Sequence, residues 1–76
     1  MITVKLYGLL RIESGIKQKQ LEAESVQQVL DALCALGISP KDLKGCVFLV
    51  NGNRATKRSK LKDGDTVVLM SPVAGG

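Results

Sequence analysis

Residues 25–36 carry the clearest element of this 76-residue chain, a single amphipathic helix that has to lie on something flat. Ser25 can cap its first turn, and Gln28, three residues on, completes a capping box. Val26, Val29, Leu30 and Leu33 fall on one stripe at helical spacing, with Cys34 and Leu36 on its margins. Gly37 stands where a left-handed residue ends a helix, Ile38 can close the apolar contact of that ending, and Pro40 prevents resumption. About three turns of helix result. One apolar stripe cannot be buried by one helix alone, so the strands around it must supply a sheet.

Those strands can be read from alternation and turn chemistry. Ile2, Val4 and Leu6 alternate with Thr3, Lys5 and Tyr7, which predicts a half-buried first strand with the second set facing away from the core. Residues 8–14 have room for a helical turn, and Ser14-Gly15 reads as a reversal. A polar second strand over 16–21, rich in Lys and Gln, suits a sheet edge. Beyond the helix, a polar turn over 41–45 leads to Val47-Phe48-Leu49-Val50, apolar on both faces. Asn51-Gly52 is a strong hairpin signal, and the return strand runs near 53–56. Residues 61–65 form another tight turn before a last strand, Thr66-Val67-Val68-Leu69-Met70.

The order strand, strand, helix, strands defines an α+β fold, with one main helix across a mixed sheet of four or five strands. The apolar first and last strands belong side by side in its middle. One helix covers one sheet face, so the other meets a partner or stays exposed as an apolar patch.

Composition excludes several function classes. The length allows one domain, over 1–76. No apolar run approaches the roughly 20 residues that span a bilayer, and the N-terminus lacks the pattern of a secretory signal, so a cytoplasmic protein with no membrane partner is expected. With no histidine, the commonest general base is missing. Cys34 and Cys46 stand twelve positions apart, matching neither zinc-ligand nor redox spacing, and read as small buried hydrophobes. Asp63-Gly64-Asp65 is a turn, since two carboxylates are too few for calcium. The net charge of +4 gathers in Arg54, Lys57, Arg58, Lys60 and Lys62. That segment reads first as a solvated loop and second as a footprint for an acidic protein. Nucleic acid comes last, because Tyr7 and Phe48 are the only aromatic residues on which bases could stack.

The chain ends on Val73-Ala74-Gly75-Gly76. Two terminal glycines put a backbone carboxylate on a segment with no side chain to obstruct it, one that can be threaded into a narrow pocket. A flexible tail over about 71–76 is expected.

Leu61-Lys62-Asp63-Gly64-Asp65, a short apolar strand and then Ser71-Pro72-Val73-Ala74-Gly75-Gly76 resemble the ending of the MoaD/ThiS sulfur carriers, and Val50-Asn51-Gly52 adds to the likeness. The resemblance implies a ubiquitin-like β-grasp fold. It also implies that the Gly76 carboxylate is adenylated by a separate enzyme of the ubiquitin-activating type, which uses ATP, and is then converted to a thiocarboxylate. The carrier itself binds no cofactor or metal, and catalytic side chains belong to its partners. Pro72-Val73-Ala74-Gly75-Gly76 is similar to the tail of the small subunit of molybdopterin synthase, and Asn51-Gly52 to the thiamin-thiazole carrier. The first likeness implies that Val73, Ala74 and Gly75 thread into partners and that Tyr7 and Met70 on the open sheet face dock on the synthase large subunit. At the corresponding partner-binding place beyond the hairpin this chain departs from the pattern and has Arg54. Ser71 departs from the first proline of the pattern, which implies a less stiff tail, and the basic balance departs from many acidic relatives. A ubiquitin-manner protein modifier is the alternative of another class.

Overall fold

The computed structural model describes residues 1–71. In chain order these form β1 (Ile2–Tyr7), α1 (Leu9–Ser14), β2 (Gln18–Leu21), α2 (Val26–Ala35), α3 (Pro40–Leu43), β3 (Val47–Val50), β4 (Asn53–Ala55) and β5 (Thr66–Met70). The strands make one five-stranded sheet in the order β2-β1-β5-β3-β4. β1 and β5 run parallel at its centre, with Thr3 opposite Thr66 and Tyr7 opposite Met70, and every other pairing is antiparallel. The expected α+β architecture, with one main helix on a mixed sheet, is what forms.

Alternation sets the core. Ile2, Val4 and Leu6 of β1 and Val67 and Leu69 of β5 are at most 1% exposed, and they meet the Val26, Val29, Leu30 and Leu33 stripe of α2. The two ends of α2 form as the residues dictate. Ser25 Oγ accepts from Gln28 N at 3.3 Å, while Gln28 Oε1 accepts from Glu24 N at 2.7 Å, so the return bond of the capping box lands one residue before the cap. At the other end Gly37 takes φ 104°, and Ile38 N donates to Leu33 O at 3.1 Å, the six-residue bond of a Schellman ending. Ile38 is buried, as that motif requires.

The helical stretch expected over 8–14 forms as a six-residue helix, Leu9–Ser14, whose Leu10 joins the core. The turn expected over 41–45 is in part the short helix α3: Ser39 Oγ accepts from Lys41 N at 3.3 Å and Pro40 occupies the first turn. Proline at that position loses no hydrogen bond, because the first amides of a helix lack partners within it. Pro40 thus ends one helix and starts another, and Leu43 is buried as a result. β2 is also shorter than expected, beginning at Gln18.

The basic segment has a structural duty through its main chain. Val26 N donates to Ser59 O and Gln27 N to Lys57 O, both at 3.0 Å, so this loop satisfies the first amides of α2. Lys57, Arg58 and Lys60 stay exposed, which fits the solvated reading of their charges.

The open sheet face and the base of the terminal segment

Register places the residues of the face that α2 leaves bare. Residues directly opposite on neighbouring strands share a face. Tyr7, Met70 and Val47 therefore form one row across β1, β5 and β3. A second row runs Gln18, Lys5, Val68, Leu49 and Arg54 across all five strands. The result is an apolar strip of Tyr7, Met70, Val47, Val68 and Leu49, with Lys5 on one flank and Arg54 on the other. Three inter-strand steps separate the cations, roughly 14 Å. Tyr7 is 43% and Met70 42% exposed, large apolar bodies facing water. Among the described residues, no strand position on this face holds a carboxylate.

Three side chains singled out in the sequence, Tyr7, Met70 and Arg54, thus come together on one surface. Val73, Ala74, Gly75 and Gly76 lie outside the described residues. Lys5, Val47, Leu49 and Val68 complete the strip and were not picked from the sequence as site residues. The parity of β1 and β3 was the signal that could have found them.

Beside this row the chain passes out of the sheet, and Ser71 is fastened there. Its Oγ accepts from Leu9 N at 2.7 Å and from Leu10 N at 3.4 Å, and donates to Tyr7 O at 3.4 Å. Its own amide approaches Tyr7 O at 3.5 Å, continuing the β1–β5 ladder. The sequence likeness implied a looser chain at Ser71, yet the hydroxyl ties down what the missing proline ring would have stiffened. Gly8 makes this possible. It has φ 71° and ψ −144°, and a Cβ there would stand 2.6 Å from Ser71 Oγ.

The turn before β5 is held by its carboxylates. Asp65 Oδ2 accepts from Lys62 N at 2.8 Å and Oδ1 from Asn51 Nδ2 at 2.9 Å. The Lys62 amide, then the Asn51 amide group, hold the Asp65 carboxyl below its ordinary range. Asp63 pairs with the Met1 ammonium. Both acidic residues of the Asp63-Gly64-Asp65 turn have structural partners. Burial, followed by the nearby Asp42, pushes the Cys46 thiol up, and its Sγ–H donates to Asp42 O at 3.1 Å.

A mixed five-stranded sheet with one long helix on one face and an apolar strip on the other defines a ubiquitin-like β-grasp protein. Residues 4–76 match the ThiS family, and the chain belongs to that family of ubiquitin-like sulfur carriers. No curated protein sequence matches the chain. Among solved structures, it is similar to small archaeal modifier protein 1 from Methanosarcina acetivorans, at 29% identity and a TM-score of 0.74, over 99% of this chain and 95% of that one. SAMP1 from Haloferax volcanii matches at 23% identity and a TM-score of 0.81, over 99% and 98%. The complex of subunits 1 and 2 of molybdopterin-converting factor from Helicobacter pylori 26695 contains a chain matching at 22% identity and a TM-score of 0.74, over 99% and 97%. No helix among the described residues is long and apolar enough to cross a membrane.

Proposed function

We propose that this protein carries sulfur on the carboxylate of Gly76 and delivers it in molybdopterin biosynthesis. The observation that carries the reading is that the family match runs through residue 76, so the terminal Gly75-Gly76 lies inside the shared region. A free carboxylate is a poor acyl donor at neutral pH. Attack of its oxygen on the α-phosphorus of ATP, in the site of a ubiquitin-activating-type enzyme, releases pyrophosphate and leaves an acyl-adenylate. Sulfide then adds to the acyl carbon, AMP departs with the former carboxylate oxygen, and a thiocarboxylate remains. The large subunit of molybdopterin synthase, or an equivalent acceptor, takes that sulfur. Val73, Ala74 and Gly75 thread the end into each partner. The cytoplasm, where ATP is abundant, is the place for this work, and the thiamin-thiazole pathway is the other candidate destination.

The chain's own contribution is docking. The apolar strip of Tyr7, Met70, Val47, Val68 and Leu49 supplies area to bury, and the flanking Lys5 and Arg54 suit a partner with carboxylates on both sides of an apolar patch. Incubation with the activating enzyme, ATP and sulfide tests the reading. The intact mass should rise by the difference between one sulfur and one oxygen atom, and a chain lacking Gly76 should show no rise while keeping its fold. A rise in the shortened chain would refute the role of Gly76.

The likeness to a small archaeal modifier protein favours a second reading, conjugation of Gly76 to lysines of other proteins. Both fates pass through the same acyl-adenylate. Covalent ladders on denaturing gels of cell extract would mark the modifier.

A further inference from the structure

We infer that Ser71 is a positioning residue for this carrier chemistry: its hydroxyl locks the chain just past β5 to the Tyr7–Leu9 corner and so fixes the base to which the segment bearing Gly76 is joined. The inference rests on the sulfur-carrier reading for its consequence and on geometry for its mechanism. One oxygen takes part in three contacts here, accepting from Leu9 N at 2.7 Å and Leu10 N at 3.4 Å while donating to Tyr7 O at 3.4 Å. The main chain adds a fourth, Ser71 N to Tyr7 O at 3.5 Å.

The receiving corner is shaped for that oxygen. Gly8 has φ 71° and ψ −144°, a conformation that only glycine adopts at low cost, and its missing Cβ leaves the space that Ser71 Oγ fills. Gly8 also offers no side chain to cap α1, and no side-chain cap bond forms from it. The hydroxyl arriving from the far end of the sequence does that work. A serine and a glycine 63 positions apart are thus matched in shape and in hydrogen bonding.

The consequence concerns binding. An enzyme that threads a short terminal segment must hold the base of that segment in one direction. Chain ordered before binding need not be ordered during it, so affinity improves without any new contact. Loss of the hydroxyl frees the base of the segment and transfers that entropic cost to the encounter with the enzyme. The loss should therefore appear in KM, with turnover of the bound carrier unchanged.

The experiment compares full-length wild type, Ser71→Ala and Ser71→Thr as substrates of the purified activating enzyme with ATP and sulfide. Initial rates of the sulfur-for-oxygen mass gain are measured against carrier concentration. Amide hydrogen exchange at Leu9 reports the lock itself, and exchange at Val67 reports the sheet. Ser71→Ala should raise KM about ten-fold at unchanged kcat, with faster exchange at Leu9 and none of that change at Val67. Ser71→Thr, which keeps a hydroxyl, should lie close to wild type in both readouts. Unchanged KM in Ser71→Ala alongside fast Leu9 exchange would reduce the contact to a helix cap and overturn the inference. So would a fall in kcat at constant KM, or Leu9 protection that survives loss of the hydroxyl. If wild type gains no sulfur while Leu9 responds as described, the carrier reading fails, and the positioning role falls with it.

Discussion

Asn51 and Asp65 are joined side chain to side chain across the gap between the β3–β4 hairpin and the start of β5, Asn51 Nδ2 donating to Asp65 Oδ1 at 2.9 Å. Asn51 Oδ1 in turn accepts from Thr66 N at 3.0 Å, and Asn51 N donates to Thr66 O at 2.9 Å. The residue that makes the hairpin turn, at φ 51°, thus also holds the neighbouring strand in register. Asn51→Gly keeps the turn conformation and deletes both side-chain bonds. It should lower the urea midpoint and raise the titration midpoint of the Asp65 carboxyl, read by NMR. Asp65 is depressed in the folded state, so its contribution to stability is present above its unfolded pKa of about 3.9. That contribution should disappear as the pH falls below about 4 through the lowered folded value, and Asn51→Gly should weaken this acid dependence.

Gly8→Ala puts a Cβ at 2.6 Å from Ser71 Oγ and forces an L side chain to φ 71°. We expect a loss of about 1–3 kcal/mol in urea-induced unfolding. Adding Ser71→Gly relieves the contact but leaves the dihedral and deletes the hydroxyl's bonds to Leu9 N, Leu10 N and Tyr7 O, so the double variant should recover little or none of that loss.

Leu33 is fully buried where α2 crosses the sheet. Leu33→Ala should cost about 2–5 kcal/mol by the same measurement. Removing the α2 cap with Ser25→Ala should cost about 1 kcal/mol.

The two thiols should separate kinetically. Cys34 is half-buried beside a groove lined by Leu30, Leu43 and Lys57, while Cys46 is buried, bonded to Asp42 O and raised in pKa. Iodoacetamide at pH 8 should place one adduct on Cys34 well before any on Cys46, as followed by peptide mass mapping.

Charge reversal at Lys5 or Arg54 tests the flanks of the apolar strip. On the docking proposed above, either Lys5→Glu or Arg54→Glu should slow association with the sulfur-accepting large subunit several-fold in surface plasmon resonance, with little change in dissociation. The wild-type association rate should fall with added salt more steeply than that of either variant.

Much of this was legible in local pattern. The Thr3, Lys5, Tyr7 alternation placed Tyr7 on the bare face, and the stripe from Val26 to Leu33 placed the helix on the other. Asn51-Gly52 announced its hairpin because positive φ is a local demand. What sequence did not disclose depends on register and on one strand pairing. Asn51 reaches Asp65 because β3 lies beside β5, a neighbour that spacing along the chain does not give. The central β1–β5 pair was expected from its apolar strands, but the parallel register that brings Ser71 onto Gly8 at its end was not. Ser39-Pro40 was a different case. A proline that stops one helix is also well suited to begin the next, and only the burial of Leu43 decides between the two.

Because β1 and β5 occupy the middle of the sheet together, a nascent polypeptide cannot close its hydrophobic centre until its final strand has been synthesised. Translation that halts before Thr66 leaves Val4 and Leu6 without their neighbours, and such a product stays open to proteases.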